Sequence, residues 1–262
     1  MTKQIILLVD VGNSSVKWSL LNVTSSNHLS EMSQQQYPEK TSVSFFVESW
    51  ADVDKPEKVL VSCVASEQVW QALQQACDQL WSIQAEKVVS VKEGFGIVNA
   101  YQQPSELGCD RWCAMIGAYH EIATDLIIVD CGSAITIDIL TLSGKANSAK
   151  HLGGYILPGI AMMKKSLGTY TANVKVPDKF TIPALTPSNT TSGCVDSAIY
   201  LAAVKLIEAI FEQESIQRRN IQCLLTGGDA AVVAELLSIK YIVKPNLVLL
   251  GLAQIAATNL EN

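Results

Sequence analysis

The chain has 262 residues, 48% of them hydrophobic and 17% charged, with a formal net charge of −6 and a pI near 5.1. That is enough apolar material for a substantial core, in one large domain or two of about 130 residues, and it excludes a disordered chain. The acidic balance, with no basic cluster, excludes a general nucleic-acid binder, and no apolar run reaches the roughly 18 residues of a membrane span.

The N-terminus enters a strand at once, with no charged leader and cleavage site, so a cytoplasmic protein is expected. Seven cysteines, at 63, 77, 109, 113, 131, 194 and 223, are scattered, form no C-x-x-C pair and accompany only three histidines. They read as buried free thiols in a reducing compartment, without zinc or disulfides.

Residues 7–18, Leu-Leu-Val-Asp10-Val11-Gly12-Asn13-Ser14-Ser15-Val16-Lys17-Trp18, combine an apolar run, an acidic residue, a glycine turn and an alternating run. This predicts a β-hairpin with one carboxylate at its tip. Glycine at the bend lets backbone N–H groups approach a phosphate, Asn and Ser add donors, and Asp10 can hold Mg²⁺ or a metal-bound water. Taken singly, such a pattern is usually a plain turn.

Residues 22–42, rich in Ser, Gln and Asn, read as loops around a short edge strand. Lys58–Val64 reads as a buried strand. Ser66 then caps a helix carrying Val69, Ala72, Leu73, Ala76, Cys77 and Leu80 at helical spacing. With a further strand at Val88–Val91, the order predicts a parallel βαβ piece. Pro104 and Gly108 hold a loop before the next helix. Gly108-Cys109-Asp110-Arg111 falls at that helix's start, where backbone donors favour anions, although an Asp-Arg pair there also reads as an ion pair or a cap.

Residues 126–139, Leu-Ile-Ile-Val-Asp130-Cys-Gly132-Ser133-Ala-Ile-Thr136-Ile-Asp138-Ile, repeat the opening pattern. Aligning Asp10 with Asp130 puts glycine two residues on in both copies. The repetition predicts two related halves, and two such hairpins facing each other would form a cleft for a nucleoside triphosphate. Asp138, between Ile137 and Ile139, is expected to face solvent or cap the hairpin. A turn at 144–148 and a strand at 151–159 ending in Pro158-Gly159 follow, then a helix over 160–168 with Lys164 and Lys165 in solvent. Residues 177–192 read as a loop. A helix over 196–212 places Ile199, Ala203, Leu206, Ile207, Ile210 and Phe211 on one face. Ile221–Leu225 reads as a strand opening into Thr226-Gly227-Gly228-Asp229, a helix follows, and a last helix begins near Pro245-Asn246.

Two phosphate hairpins and a later glycine-rich turn resemble the sugar kinase, actin and Hsp70 superfamily. Within it, six blocks resemble the type III pantothenate kinases, in the same order and across almost the whole chain. They are Asp10-Val-Gly12-Asn13-Ser14, Leu107-Gly108-Cys109-Asp110-Arg111-Trp112, Asp130-Cys-Gly132-Ser133-Ala134, Gly153-Gly154-Tyr-Ile-Leu-Pro158-Gly159, Thr226-Gly227-Gly228 and Pro245-Asn246-Leu-Val-Leu-Leu-Gly251-Leu. The resemblance implies an α/β fold of two duplicated RNase H-like domains, 1–118 and 119–262, facing an ATP cleft as in actin-like ATPases.

It also implies ATP-dependent phosphorylation of the primary hydroxyl of pantothenate to 4′-phosphopantothenate, the first step toward coenzyme A. The enzyme would be a homodimer using Mg²⁺ and a monovalent cation, K⁺ or NH₄⁺. Asp10, Val11, Gly12, Asn13, Ser14, Ser15, Val16 and Lys17 would form the first phosphate hairpin, and Ser133 would contact ATP. Asp110 would be the general base, with Tyr101, Gly108, Cys109 and Arg111 lining the pantothenate site. Asp130 would belong to the monovalent-cation site. A threonine of the 189–191 stretch would reach pantothenate across the dimer interface, with Thr190 the choice and Thr191 the alternative.

Three positions depart from the family pattern: Gln103 where Asn is usual, Ser133 where Thr is usual, and Thr191-Ser192-Gly193 in place of acidic and alanine residues. The residue types suit the reaction, because phosphoryl transfer needs positioning and charge neutralisation more than covalent help. Arg111 offers a fork of donors to a carboxylate or phosphate that lysine could not copy. The rival readings are another small-molecule kinase or phosphatase of the same superfamily, or a non-catalytic regulatory homologue that binds a partner or DNA. The intact Asp10, Asp110 and Asp130 set and the acidic charge argue against the last.

Overall fold

The structure is a computed structural model that describes residues 4–23, 28–38, 41–143, 148–171, 174 and 183–261. The chain opens with an antiparallel hairpin of β1 (Gln4–Val11) and β2 (Ser15–Val23), in which Asp10 pairs with Lys17. The short strands β3 (His28–Leu29) and β4 (Ser33–Gln36) both pair with β2, as the edge-strand reading of this polar stretch expects. Helix α1 (Val43–Ser49) follows, then β5 (Lys58–Cys63), α2 (Glu67–Trp81) and β6 (Glu86–Lys87). A small hairpin of β7 (Glu93–Gly94) and β8 (Ile97–Val98) and a 3₁₀ turn at Pro104–Glu106 lead to α3 (Cys109–Glu121).

The second hairpin consists of β9 (Leu126–Cys131) and β10 (Ala134–Leu142), with β11 (Ala149–Pro158) next to β10. Helices α4 (Ile160–Tyr170) and α5 (Thr191–Gln217) precede β12 (Gln222–Thr226). The chain closes with α6 (Ala230–Leu236), β13 (Tyr241–Val243) and α7 (Leu247–Glu261).

These elements fall into two compact units. One holds the described residues up to Ile122 together with Ser148, Ala149 and the chain from Asn246 onward; the other holds the remaining described residues from Ala123 to Pro245. The compact units therefore differ from a division at 118/119, because α7 packs on α3 and β1 and closes the first unit. The sheet of the first unit runs β3-β2-β1-β5-β6 and that of the second β11-β10-β9-β12-β13. In each, a hairpin strand lies antiparallel to the first strand, and the fourth and fifth strands run parallel on its other side. The same strand order in both units is the duplicated α/β architecture expected from the repeated hairpins.

Each unit has its own core. In the first, Leu7, Val9, Val11 and Val16 of the hairpin pack with Val59 and Val61 of β5 and Leu73, Ala76 and Cys77 of α2. Ser66 caps α2 by accepting from the Val69 N–H. Helix α1 has no counterpart in the sequence reading, since seven residues are too few to display a period. Its role is aromatic: Trp50 is fully buried, stacks on Trp81 with 5.9 Å between ring centroids, and meets Phe46 at 5.3 Å. The second core joins Ile127, Val129, Ile135 and Ile137 to Ile199, Ala203, Ile207 and Ile210 of α5.

Four local expectations are corrected. The strand expected at Val88–Val91 is only Glu86–Lys87; after Val88 donates to the Val61 carbonyl at 2.8 Å, the chain leaves the sheet and Ser90 turns to the Leu107 carbonyl. Helix α5 begins at Thr191, five residues ahead of the expected 196, because Thr190 caps it. Asp138 does not face solvent: β10 is covered on both sides, so Asp138 is buried with Ile137 and Ile139 and pairs at 2.9 Å with the buried His151. Lys164 is not in solvent either, but in an ion pair with Asp196 at 2.7 Å. The turn expected over 144–148 lies outside the described residues at 144–147, as does the 177–182 part of the loop expected over 177–192. All seven cysteines are free thiols; six are buried as expected, whereas Cys194 is exposed.

The α3–α7 contact is close enough to require glycine on both helices. A Cβ on Gly251 would lie 1.9 Å from the Cys113 carbonyl oxygen, and one on Gly117 would lie 2.3 Å from that of Leu247. Gly168, inside α4, meets nothing within 4 Å. Gly251→Ala should therefore destabilise the protein by about 1–3 kcal/mol through overpacking. Gly168→Ala should stabilise it by about 0.5–1 kcal/mol through reduced backbone entropy in the unfolded chain. Urea unfolding of the two variants beside the parent measures both, and equal midpoints for all three would contradict the packing.

Candidate active site

The first unit builds its part of the site from the ends of three neighbouring elements. Asp10, one residue before the end of β1, pairs with Lys17 in β2 and with Ser62 in the parallel strand β5. The turn is closed by the Gly12 N–H donating to the Ser15 carbonyl at 3.0 Å, with Asn13 and Ser14 exposed at the tip. A Cβ on Gly12 would stand 3.3 Å from that same carbonyl. The arrangement leaves a turn of small residues with a half-buried carboxylate behind it, a shape that accepts phosphate oxygens and their cation.

The start of α3 is tethered beside this hairpin. The Cys109 sulfur accepts from the Cys63 N–H at 3.2 Å and from the Ser62 hydroxyl at 3.6 Å, at the end of β5 that pairs with Asp10 and Val11. Burial pushes the Cys109 thiol up, with the Ser62 hydroxyl pulling against it, so at neutral pH it is a neutral acceptor and not a nucleophile. Asp110 follows in the first turn. Its Oδ1 accepts from the Arg111 N–H at 2.8 Å and lies where a Cβ on Gly108 would come within 2.5 Å of it. Glycine at 108 is what lets this carboxylate fold back over the helix N-terminus. Asp10 and Asp110 are brought to one locality: both add to the upward push that burial and Cys109 exert on the Cys113 thiol.

Arg111 is 6% exposed, yet its Nη1 donates to the Tyr101 hydroxyl at 2.9 Å. The loop that presents Tyr101 is organised by Asn99, a residue the sequence reading did not single out. The buried Asn99 side chain accepts from the Tyr101 N–H at 2.9 Å and donates to the carbonyls of Val91 and Pro104 at 3.2 and 3.4 Å. Lys92 adds a bond to the Asn99 carbonyl at 3.0 Å. No motif marks Asn99, because its role depends on three backbone groups that meet only in the folded loop. Tyr101, Gly108, Cys109, Asp110 and Arg111 are thus assembled around one helix start.

The second unit repeats the strand-end geometry. Asp130 pairs with Thr136 in β10 and with Thr226 in the parallel strand β12, and the turn closes through the Gly132 N–H to the Ala134 carbonyl at 3.0 Å. Ser133, half-buried, stands at this tip. Two glycines from elsewhere in the unit press on it. Gly227 has φ +94° and a Cβ there would lie 2.4 Å from Asp130 Oδ1; one on Gly159 would lie 2.3 Å from the Gly132 carbonyl oxygen. The Asp229 N–H donates to the Cys131 carbonyl at 2.9 Å, which docks the glycine-rich turn onto the hairpin.

Beside that turn lies a charged group that the sequence reading placed in solvent or passed over. Lys164 pairs with Asp196 and stands 5.4 Å from the Tyr200 ring centroid. Burial raises the Asp229 carboxyl above its ordinary value, and Lys164 draws it partly back. Thr190 is exposed at the start of α5, where its hydroxyl accepts from the Gly193 N–H at 3.2 Å. Thr191 is exposed next to it.

The raised Asp229 has a definite sign for stability. Its folded value lies above its unfolded one, so the penalty for burying its charge is absent while it is protonated. Stability is then lost as pH rises from about 4 through the folded value. Asp229→Asn should remove that part of the loss, gaining on the parent at pH 7 relative to pH 4 in urea unfolding. Parallel curves for the two proteins would contradict the assignment.

Comparison with known proteins agrees with this geometry. The profile of the family described as type III pantothenate kinase matches residues 6–213. The type III pantothenate kinase of Nitrosococcus oceani is 34% identical over 257 residues, covering 96% of this chain and 93% of that protein. That of Chromohalobacter salexigens is 33% identical, covering 94% and 85%. Among solved structures, a protein described as a Baf family transcriptional activator from Campylobacter jejuni aligns with a TM-score of 0.58 at 24% identity, covering 98% of this chain and all of that one. The activator of 2-hydroxyisocaproyl-CoA dehydratase from Clostridium difficile, solved with ADPNP, aligns at 0.52 and 13% identity, covering 99% and 96%. At those identities the two structures speak for the actin-like ATPase fold alone. Together with the strand-end carboxylates of both units, the full-length sequence match establishes that the chain belongs to the type III pantothenate kinase family.

Proposed function

We propose that the protein transfers the γ-phosphoryl group of ATP to the primary hydroxyl of pantothenate, with Asp110 as the general base. Family membership carries the reaction. The base assignment is supported by the Asp110 carboxylate in the first turn of α3, next to the Arg111–Tyr101 pair and in the same unit as the Asp10 hairpin. A carboxylate near the attacking hydroxyl accepts its proton as the bond to phosphorus forms, while ADP leaves. Arg111, already held by the Tyr101 hydroxyl, is oriented to receive the pantothenate carboxylate with little further loss of side-chain freedom. Gly108 and Cys109 would complete that pocket.

The turn Asp10–Lys17 would take the ATP phosphates through its backbone N–H groups, with Ser133 giving a further hydroxyl from the second hairpin. Among the described residues, no cluster of three or more His, Cys, Asp or Glu is set to hold a metal ion. That suits Mg²⁺, which keeps waters and binds through one or two carboxylates plus substrate phosphates, with Asp10 as its protein partner. Asp130, a half-buried carboxylate against the Gly227 turn, fits a monovalent cation, K⁺ or NH₄⁺, completed by backbone and water oxygens. Such ions would supply charge neutralisation where triphosphate and carboxylates crowd together. In a homodimer, Thr190 of the partner subunit would reach the pantothenate of its neighbour, with Thr191 the alternative. Among the described residues no helix is long and apolar enough to cross a membrane.

Loss of a general base predicts that Asp110→Asn lowers kcat by about 10²-fold or more. Binding of Mg-ATP, followed by calorimetry, should change by less than about 3-fold, since the base acts on the other substrate. A variant that turns over near the parent rate would sink the assignment. Light scattering of the active enzyme should give the mass of two chains, and an active monomer would rule out a site shared through Thr190.

A further inference from the structure

We infer that the second unit carries another binding site, remote from its hairpin tip, for a small amphipathic anion: an apolar or aromatic body bearing a carboxylate, sulfonate or phosphate. The site is a cavity of about 1050 Å³ lined by the end of α5, the entry to β12 and strand β13. This is at the upper end of the size range of small-molecule sites, roughly 300–1,000 Å³. Strand register separates it from Asp130. β12 pairs with β9 from Gln222 opposite Leu126 to Thr226 opposite Asp130. Four residues of strand rise put Gln222 roughly 13 Å from the level of the Asp130 carboxylate, at the opposite end of the sheet.

The lining has a distinct chemistry. Phe211, Ile221, Ile239 and Ile242 give apolar walls, and Arg219 and Lys240 bring two positive charges from separate segments. Among the described residues no Asp or Glu lines the cavity, although the whole chain is acidic at −6. Three carboxylates on adjoining segments are engaged elsewhere. Asp125 accepts from the Thr141 hydroxyl and the Leu142 N–H at 2.9 and 2.8 Å. Glu208 takes Lys205 and the Ser238 N–H, and Glu214 takes Arg218. A guanidinium and an ammonium over apolar walls, with no carboxylate in the described lining, favour an acid group with a hydrophobic body, and two cations are too few for a nucleic-acid track.

The frame is tied by hydrogen bonds of the protein itself. The Thr124 hydroxyl donates to the Asn220 carbonyl at 3.0 Å, the Gln222 N–H to the Asp125 carbonyl at 2.9 Å, and the Ile221 N–H to the Arg218 carbonyl at 3.1 Å. These bonds hold the Arg219 segment against the sheet, so a ligand need not order it.

The test uses two fluorescent probes on the full chain: 1-anilinonaphthalene-8-sulfonate, which has an aromatic body and a sulfonate, and neutral N-phenyl-1-naphthylamine of similar body. Both mutated positions are exposed, so the double variant Arg219→Glu, Lys240→Glu should fold with an unchanged urea midpoint. It should bind the sulfonate about 10-fold or more weakly and the neutral probe within about 3-fold of the parent, the contrast expected from reversing two charges beside an unchanged apolar wall. Gln222→Trp, which puts an indole in place of a lining amide, should weaken both probes. Saturating Mg-ATP should leave sulfonate binding as it was. Equal sulfonate affinity in parent and double variant, or displacement of the sulfonate by Mg-ATP, would overturn the inference.

Discussion

The position of a carboxylate one residue before the end of the first strand is the constraint on which both units depend. A strand flanked by one antiparallel and one parallel neighbour has its backbone hydrogen bonds satisfied on both sides, so its end cannot slip without breaking two ladders. Asp10 is held between Lys17 and Ser62, and Asp130 between Thr136 and Thr226. A one-residue slip would also turn Val9 and Val11, or Val129 and Cys131, out of their cores. The hydrophobic pattern therefore fixes the place of the charge, and each glycine turn follows the carboxylate at a fixed step.

What is then packed onto each strand end differs between the units. In the first it is a helix start, tied down through sulfur: Cys109 accepts from the end of β5, and Gly108 leaves room for Asp110 to fold over its own backbone. In the second it is backbone. Gly227 and Gly159 come so close to the hairpin that any side chain would collide with Asp130 or Gly132, and Asp229 locks the contact through its N–H. A shared scaffold thus supports an acid and an arginine in one unit and a glycine cradle in the other. That division suits a reaction in which one substrate is an acidic alcohol and the other a triphosphate.

Much of this was legible in the sequence because it is local. The two hairpins announce themselves through apolar runs, a carboxylate and glycine at fixed spacing, and Ser66 marks its helix through capping chemistry. The features that escaped are those in which a polar residue is used against its usual habit. Asp138 alternates with isoleucines, which normally means a solvent face, but β10 is covered on both sides and the buried His151 gives it a hydrogen-bond partner. Lys164 looks like a surface lysine until α5 brings Asp196 to it. Asn99 acts only through backbone groups gathered by a folded loop. Asp138 and Lys164 depend on partners brought from another strand or helix, and one-dimensional periodicity carries no such information.

The most direct measurement is ADP release from Mg-ATP, with and without pantothenate, in K⁺ and again in Na⁺. Phosphoryl transfer to pantothenate at a site with a selective cation requires that ADP appear only when pantothenate is present and that its rate fall sharply in Na⁺. ADP released equally without pantothenate would instead mark a hydrolase or a kinase for another acceptor, and none at all from the folded protein would mark a homologue that no longer catalyses.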